Sequence, residues 1–486
     1  MKKTLCILLS ALMVISLVSC AAPKAEPAAE STTEAVAEQT PVQTEEASEQ
    51  TAAEYAPDTV IEFNDDVLES MVRAAMGKPE GDILVSDAQA MTELALDMDG
   101  NDWSNPRIHN IDALKYFTNI TNLSMGWSVQ NDANYDADVD ISALTGMTKM
   151  EMLIIRCINV SDVSPLAGMT QLKTLVIQGT DRLTDLTPLA NLTQMEALEL
   201  KTNAVIDLNP LAGLTNLNYL DLSGNFIRDV SPLAGATKLT TLYLGSNPIK
   251  DYSSLVGIRS NLTGCDFEPD SAPQVIDFQD AVLEQKVREA LNIPQGDITQ
   301  EQTEAVTELY LGNEWQEKVP DDIKILNISA LKYFPSLTRL NLQNNNVMHI
   351  DVLRVMPNLF DLNISNNNVS DIRPLTSCGY LKVLNLNGCY CTSAELAPLA
   401  ELTGLEWLDL STSRNIDSVG VIAGLTNLKA LYLQNLPVDF TPITGLTNLT
   451  TLYLMGPVEG KYTPDYSVLK DIYPNLTDKN FEIPQG

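Results

Sequence analysis

The residues best able to do chemistry are few and scattered. Histidine occurs only at His109 and His349, which leaves little material for general acid and base work near neutral pH. No nucleophile motif accompanies either one, so the sequence points away from an enzyme. The most metal-like stretch is DANYDADVD, where Asp132, Asn134, Asp136, Asp138 and Asp140 alternate and could offer oxygens to calcium. Asp140, however, opens DISAL and matches an aspartate that recurs along the chain, and the glycine turn and distal glutamate of an EF-hand loop are missing. A solvated acidic loop therefore stands against calcium here, and no resident metal or other cofactor is expected. Besides Cys6 and Cys20, the thiols are Cys157, Cys265, Cys378, Cys389 and Cys391. The last four fall on inward positions of the repeat described below and read as buried small hydrophobes. Cys389 and Cys391 have neither zinc-pair nor CxxC spacing, and a disulfide stays an open alternative in an exported chain.

The charge and the N-terminus set the compartment. With 64 acidic against 30 basic residues the net charge is −34, which repels phosphate backbones and anionic headgroups, so nucleic acid is not an expected partner. Residues 1–20 start with Lys2 and Lys3, continue with the apolar run LCILLSALMVISLV and end on small residues, the layout of a secretory signal too short to span a bilayer. Leu17-Val18-Ser19-Cys20 resembles the lipobox of bacterial lipoproteins. That resemblance implies that Cys20 becomes the first mature residue, carries the acyl chains and is the only contact with the membrane, holding the protein on its extracytoplasmic side. Ordinary signal cleavage, with Cys20 incidental, is the alternative. Residues 21–56 are rich in Ala, Glu, Pro, Thr and Gln, with one tyrosine and no Leu, Ile, Phe or Trp. Such a segment cannot bury enough apolar surface to order itself and reads as an acidic tether, spanning roughly 30 to 40 Å as a coil.

The rest of the chain is periodic. Met195, Leu217 and Leu239 each begin LxxLxL and lie 22 residues apart, the mark of a solenoid. Full registers start at Met91, Ile120, Met150, Leu172, Met195, Leu217 and Leu239, and again at Val306, Leu337, Leu359, Leu381, Leu405, Leu428 and Leu449, with a degenerate turn at Leu262. Asn203, Asn225, Asn247, Asn345 and Asn367 lie eight residues after a register residue, where an inward amide can bond adjoining turns; Cys389 replaces it in the next repeat. Asp162, Asp185, Asp207, Asp229 and Asp371 precede Pro-Leu pairs and are expected to cap short helical turns.

A longer symmetry overlies this one. VIEFNDDVLESMVRAAMGKPEGDI from Val60 returns as VIDFQDAVLEQKVREALNIPQGDI from Val275, and ALKYF occurs at Ala113 and Ala330. Val67, Leu68, Met71, Val72, Ala75 and Met76 fall at helical spacing on one stripe. Each copy reads as a helix covering the open end of a solenoid, which gives two domains, 57–272 and 273–486.

From about residue 57 onward the DxxPLxxLTxL segments and the F-D-x-x-L-E-x-x-V-R cap resemble the internalin-like, 22-residue class of bacterial leucine-rich-repeat proteins. The resemblance implies an α/β solenoid of two tandem horseshoes, each with a helical N-terminal cap, a concave parallel sheet and short convex helical turns, binding a protein partner at a cell surface. The chain carries neither the Ig-like module nor the LPXTG-type signal of the host-cell adhesins, so binding is expected and invasion is not. The x positions of LxxLxL project from the concave face, where Tyr219 and Tyr243 stand in the first domain and Trp407, Tyr432 and Tyr453 on successive repeats of the second. Such aromatics suit a protein hot spot or, alternatively, a wall or host glycan; tyrosine is also simply a good strand residue. We expect Trp407, Tyr432 and Tyr453 to occupy equivalent positions in one row.

Overall fold

The computed structural model describes residues 55–97, 108–126, 139–156, 159–179, 182–267, 275–314, 319–413, 415–454 and 465–483. Cys20, Cys157, the signal segment, the tether as far as residue 54 and the run from Asp132 to Asp138 lie outside them.

Each register contributes one short strand, because the alternating Leu-x-Leu side chains need a core on one side only. The first sheet is β1 (Glu93–Asp97), β2 (Asn122–Gly126), β3 (Met152–Arg156), β4 (Thr174–Gln178), β5 (Ala197–Glu199), β6 (Tyr219–Asp221), β7 (Thr241–Tyr243) and β8 (Gly264–Cys265). The second is β9 (Glu308–Tyr310), β10 (Arg339–Asn341), β11 (Asp361–Asn363), β12 (Val383–Asn385), β13 (Trp407–Asp409), β14 (Ala430–Tyr432), β15 (Thr451–Tyr453) and β16 (Asp478–Lys479). Within each sheet every strand pairs in parallel with its sequence neighbours, as tandem leucine-rich-repeat solenoids require. The central leucines, from Leu198 through Leu220 and Leu242 to Leu362, Leu408 and Leu452, are fully buried. The strand β16 was not expected: LTDKNF carries Lys479 where the other repeats place an apolar residue, and so escapes the pattern.

After each strand the chain must turn inward. Thr202, Ser246, Asn344, Asn366, Thr412 and Asn435 take positive φ there, as do Gly224 and Gly388. At Gly388 an added Cβ would stand 2.3 Å from Asn366 Oδ1, so a larger residue there would have to displace that side-chain amide. The next residue is the buried amide. Asn225 Nδ2 donates to Leu200 O at 2.9 Å and Leu222 O at 2.8 Å, while its Oδ1 accepts from Val205 N at 3.0 Å. Asn247 and Asn367 repeat this three-bond set. Where Cys389 replaces the amide, only a weak Sγ contact to Ile364 O at 3.4 Å remains, and Ser413 follows with Oγ donating to Leu386 O at 3.3 Å.

On the opposite side Asp162, Asp185, Asp207, Asp229 and Asp371 each accept the backbone N–H two residues on, at 2.8 to 2.9 Å. They close 3-10 turns whose second residue is proline. Asp140 makes the same bond to Ser142 N at 2.8 Å, so its carboxylate serves the turn.

The duplicated motif forms helices Asp66–Met76 and Ala281–Leu291. Their N-cap aspartates do two jobs each. Asp65 caps Val67 N and Leu68 N with Oδ1, and its Oδ2 accepts from His109 N at 2.6 Å and Asn110 N at 3.2 Å. Asp280 caps Leu283 N and accepts from Leu326 N and Asn327 N at 2.8 and 2.9 Å. The cap is thereby tied to the first repeat by charge-assisted bonds. Arg73 and Arg288 pair with Glu69 and Glu284 one helical turn back and donate to the carbonyls of Gly81 and Gly296. Of the apolar stripe, Leu68 and Val72 are buried, Val67, Met71 and Met76 pack half-buried against the core, and Ala75 alone is exposed. Residues 55 and 56, counted with the tether, instead contact the cap region, with the Tyr55 ring centroid 4.6 Å from that of Tyr116 and Ala56 O accepting from Thr59 N.

The apolar side chains form two clusters, one over residues 61–267 and one over 276–481 that also takes in Ala204 and Phe226 from the first solenoid. The solenoids meet at the second cap. Lys332 is 5% exposed, and its Nζ donates to Ser246 O at 2.6 Å and Asn225 O at 3.1 Å while lying 5.6 Å from the Phe226 ring centroid. Arg228 donates back to Lys332 O at 2.9 Å, and Lys250 pairs with Glu304 at 2.7 Å.

Candidate functional site

The concave positions are the first and third residues of each strand, which share a face while the middle leucine points inward. In the second solenoid this face carries Trp407, Tyr432 and Tyr453, all half-buried. Ring centroids lie 5.1 Å apart for Trp407 and Tyr432 and 5.1 Å for Tyr432 and Tyr453, the latter pair stacked at 25°. The three rings are thus brought together, but not as one row of equivalent positions. Tyr432 is in register with Tyr453 and Asp409, whereas Trp407 pairs with Val383 and Ala430. The reason is arithmetic: Trp407 lies two residues after its register leucine, Leu405, and Tyr432 lies four after Leu428. Strand alternation puts both on the same face but one step apart along it, and the rings meet across a diagonal within reach of large side chains. Tyr219 and Tyr243 repeat this diagonal in the first solenoid, with centroids 6.2 Å apart at 73°.

Carboxylates flank the rings. Asp409 neighbours Trp407 on β13 and Asp221 neighbours Tyr219 on β6. Tyr453 donates its hydroxyl to Asp478 Oδ1 at 2.7 Å, a bond that raises the tyrosine pKa. Burial, and then the Asp221 and Glu199 carboxylates, push the Tyr219 hydroxyl above the usual tyrosine range. Glu199 is itself raised by burial and by Asp221, against the pull of Arg156 and Lys201. Beside the second row, Lys429 bridges to Glu406 at 2.6 Å, which lowers the Glu406 pKa. Tyr310 on β9 and Phe360 just before β11 are also exposed on these repeats, at 64% and 42%. The same x-position rule would have found Tyr310.

Chemically, the site offers flat apolar surface, hydroxyls and anionic oxygens. His109 serves through its backbone N–H at the first cap, and no cluster of three or more His, Cys, Asp or Glu among the described residues could hold a metal ion. The thiols Cys378 and Cys389 are buried, which pushes each up to about 12, and Cys391 higher still, so they remain protonated and inert. Cys265, expected to be buried with them, is only half-buried because β8 closes the end of its sheet and has one strand neighbour. Cys378, Cys389 and Cys391 are free thiols. Among the described residues no helix is long and apolar enough to cross a membrane.

Comparison with known proteins places the repeats in context. Residues 215–257 match the family model described as Leucine Rich repeats (2 copies). An internalin, inlF, from Listeria monocytogenes is similar at 24% identity over 87% of this chain and 96% of its own, with a TM-score of 0.35. Internalin C2 of the same organism is 29% identical over 45% of this chain and all of its own, with a TM-score of 0.36. A leucine-rich-repeat protein of Leptospira interrogans is 17% identical over 82% of this chain and 97% of its own, with a TM-score of 0.33. No curated protein sequence matches the chain. With one strand per repeat and two eight-stranded parallel sheets, the chain is a tandem leucine-rich-repeat solenoid.

Proposed function

We propose that this protein is a lipid-anchored, extracytoplasmic binding protein of the cell surface, and that its concave faces recognise a protein partner without performing chemistry on it. The observation that carries this reading is the contact chain of Trp407, Tyr432 and Tyr453 on the concave face, with successive centroids 5.1 Å apart. Tryptophan and tyrosine supply large, stiff contact area at low entropic cost and dominate binding hot spots. In this reading the domains are 57–272 and 273–486, the acidic segment 21–56 is the tether, the only membrane attachment is the lipid on Cys20, and nucleic acid is excluded by charge. Cys20→Ala should release the protein from the membrane fraction and abolish acyl labelling; unchanged fractionation would remove the anchor from the proposal. A cross-linking pull-down with the full chain should identify the partner, and Trp407→Ala should cost about 2 kcal/mol, roughly thirtyfold in affinity, with little change in melting temperature. Loss of the fold with binding intact would make Trp407 a core residue and end the concave-face reading. The near-parallel stack of Tyr432 on Tyr453 favours a second reading, a wall or host glycan laid on the rings, which a glycan array would separate from the first.

A further inference from the structure

The two aromatic diagonals share more than their rings. Along the sixteen strands, the first concave position is aromatic only at Tyr219 and Trp407, and in both the third is an aspartate, Asp221 and Asp409; the other aspartate at this repeat position, Asp266 just after β8, follows Gly264 and is held by the backbone N–H groups of Leu244 and Gly245. The coincidence therefore falls twice on the same strand, as Tyr-Leu-Asp in β6 and Trp-Leu-Asp in β13. In both cases the next strand presents a tyrosine in register with the aspartate, Asp221 opposite Tyr243 and Asp409 opposite Tyr432. The duplication of the chain does not explain this. The first notch lies on the sixth strand of its sheet and the second on the fifth, so they are not copies of one ancestral repeat position.

Nor does the fold require the negative charge. Asp221 Oδ1 accepts from Ser223 N at 2.9 Å and Asp409 Oδ1 from Ser411 N at 2.8 Å, closing the turn after the strand. Asn341, Asn363 and Asn385 occupy the same position in three other repeats and accept the equivalent N–H at 2.9, 3.0 and 3.0 Å. A neutral amide serves the backbone equally well, yet where two rings converge the residue is a carboxylate. Asp221 and Asp409 are 8 and 9% exposed and stand in register with the tyrosine of the next strand; Asp409 Oδ2 also accepts from Asn387 Nδ2 at 3.2 Å, and a carboxylate so placed beside aromatic residues suits one kind of ligand group. A cation gains the ring quadrupole and the carboxylate together, and each attraction strengthens as the other walls exclude water.

We propose that each solenoid carries one cation-accepting notch, Tyr219–Asp221–Tyr243 and Trp407–Asp409–Tyr432, and that the partner is a basic polypeptide whose lysine or arginine side chains enter them. The proposal rests on the concave-face reading above and names the chemistry of its ligand. A chain of net charge −34 steers a basic segment toward itself from a distance, and the notches convert that diffuse attraction into two defined contacts. Two linked contacts on one ligand raise avidity where its length lets it engage both.

The experiment titrates the full chain calorimetrically with a lysine-rich peptide and with the same peptide acetylated on every lysine, which removes the charge and keeps the length. Two sites are expected for the free peptide, with affinity reduced at least about tenfold by acetylation. Asp221→Asn and Asp409→Asn should each remove one site with an unaltered melting temperature, since asparagine already closes this turn elsewhere, and the double variant should remove both. The proposal is overturned if the double variant binds the free peptide as tightly as the parent chain, which would leave only diffuse charge attraction, or if neither peptide binds. It is also overturned if the acetylated peptide binds as well as the free one. Should Trp407→Ala then abolish that binding, the concave face remains the binding surface and the notch chemistry alone is wrong.

Discussion

Ala-Leu-Lys-Tyr-Phe occurs twice in this chain, and its two copies meet opposite fates. In both, the alanine, second residue and phenylalanine enter the core of the first repeat. The lysine and tyrosine differ. Lys115 is exposed and Tyr116 half-buried against Tyr55, whereas Lys332 is 5% and Tyr333 1% exposed. The local sequence and the 3-10 turn around them are the same. What separates them is the neighbour: the second copy follows a complete solenoid, and its Lys332 docks on the turns of that solenoid at Phe226, Asn225 and Ser246. A lysine can go under such a surface because carbonyl oxygens at the turns, left outside the strand ladder, receive its ammonium protons. The same five residues are therefore a surface patch in one place and a joint in the other.

The largest test of this difference is to remove the rings. Tyr333→Ala should cost about 3 to 5 kcal/mol in chemical denaturation, the range for emptying a buried aromatic site, and Tyr116→Ala clearly less; equal costs would mean that the joint adds nothing. Lys332→Met keeps the stem and strands the two carbonyls, at about 1 to 3 kcal/mol, while Lys115→Met should stay within about 0.5 kcal/mol. In the separated fragments, 57–272 and 273–486, each with its own cap and sheet, circular dichroism should show folding in both, and Lys332→Met should then lose its effect within 273–486. An unfolded half at neutral pH would refute the domain boundaries.

Smaller effects sharpen the comparison further. The caps share little of the asymmetry, since Asp65 and Asp280 each cap their helix and accept two N–H groups of the first repeat, Asp65 with one cap bond more, so Asp65→Ala and Asp280→Ala should each cost about 2 kcal/mol at most. Burial also pushes the Tyr333 hydroxyl above its ordinary value. A raised acid pKa in the folded state means that the stabilisation is complete below the unfolded value near 10 and declines as pH rises above it. Tyr333→Phe should therefore soften the alkaline limb of the stability profile. Identical alkaline limbs for the variant and the parent chain would dissociate Tyr333 from it.

The sequence by itself determined what is periodic. A register leucine recurring every 22 residues, a buried amide eight residues on and an aspartate two before the turn residue it caps each satisfy a demand made within one repeat or between adjacent ones, so their spacing survives in the text of the chain. Asn225, Asp229 and the helix stripe at Leu68 and Val72 were legible for that reason. Only the tertiary structure decided where non-adjacent parts meet. The offset of Trp407 from Tyr432 is itself written in the sequence, as two residues after Leu405 and four after Leu428, but the meeting of the two rings across that diagonal is not. The carboxylates at Asp221 and Asp409 look like turn residues until the rings of the next strand stand beside them. Lys332 and Lys115 are the extreme case: identical pentapeptides carry no record of the solenoid that precedes one of them, and burial is set by that neighbour.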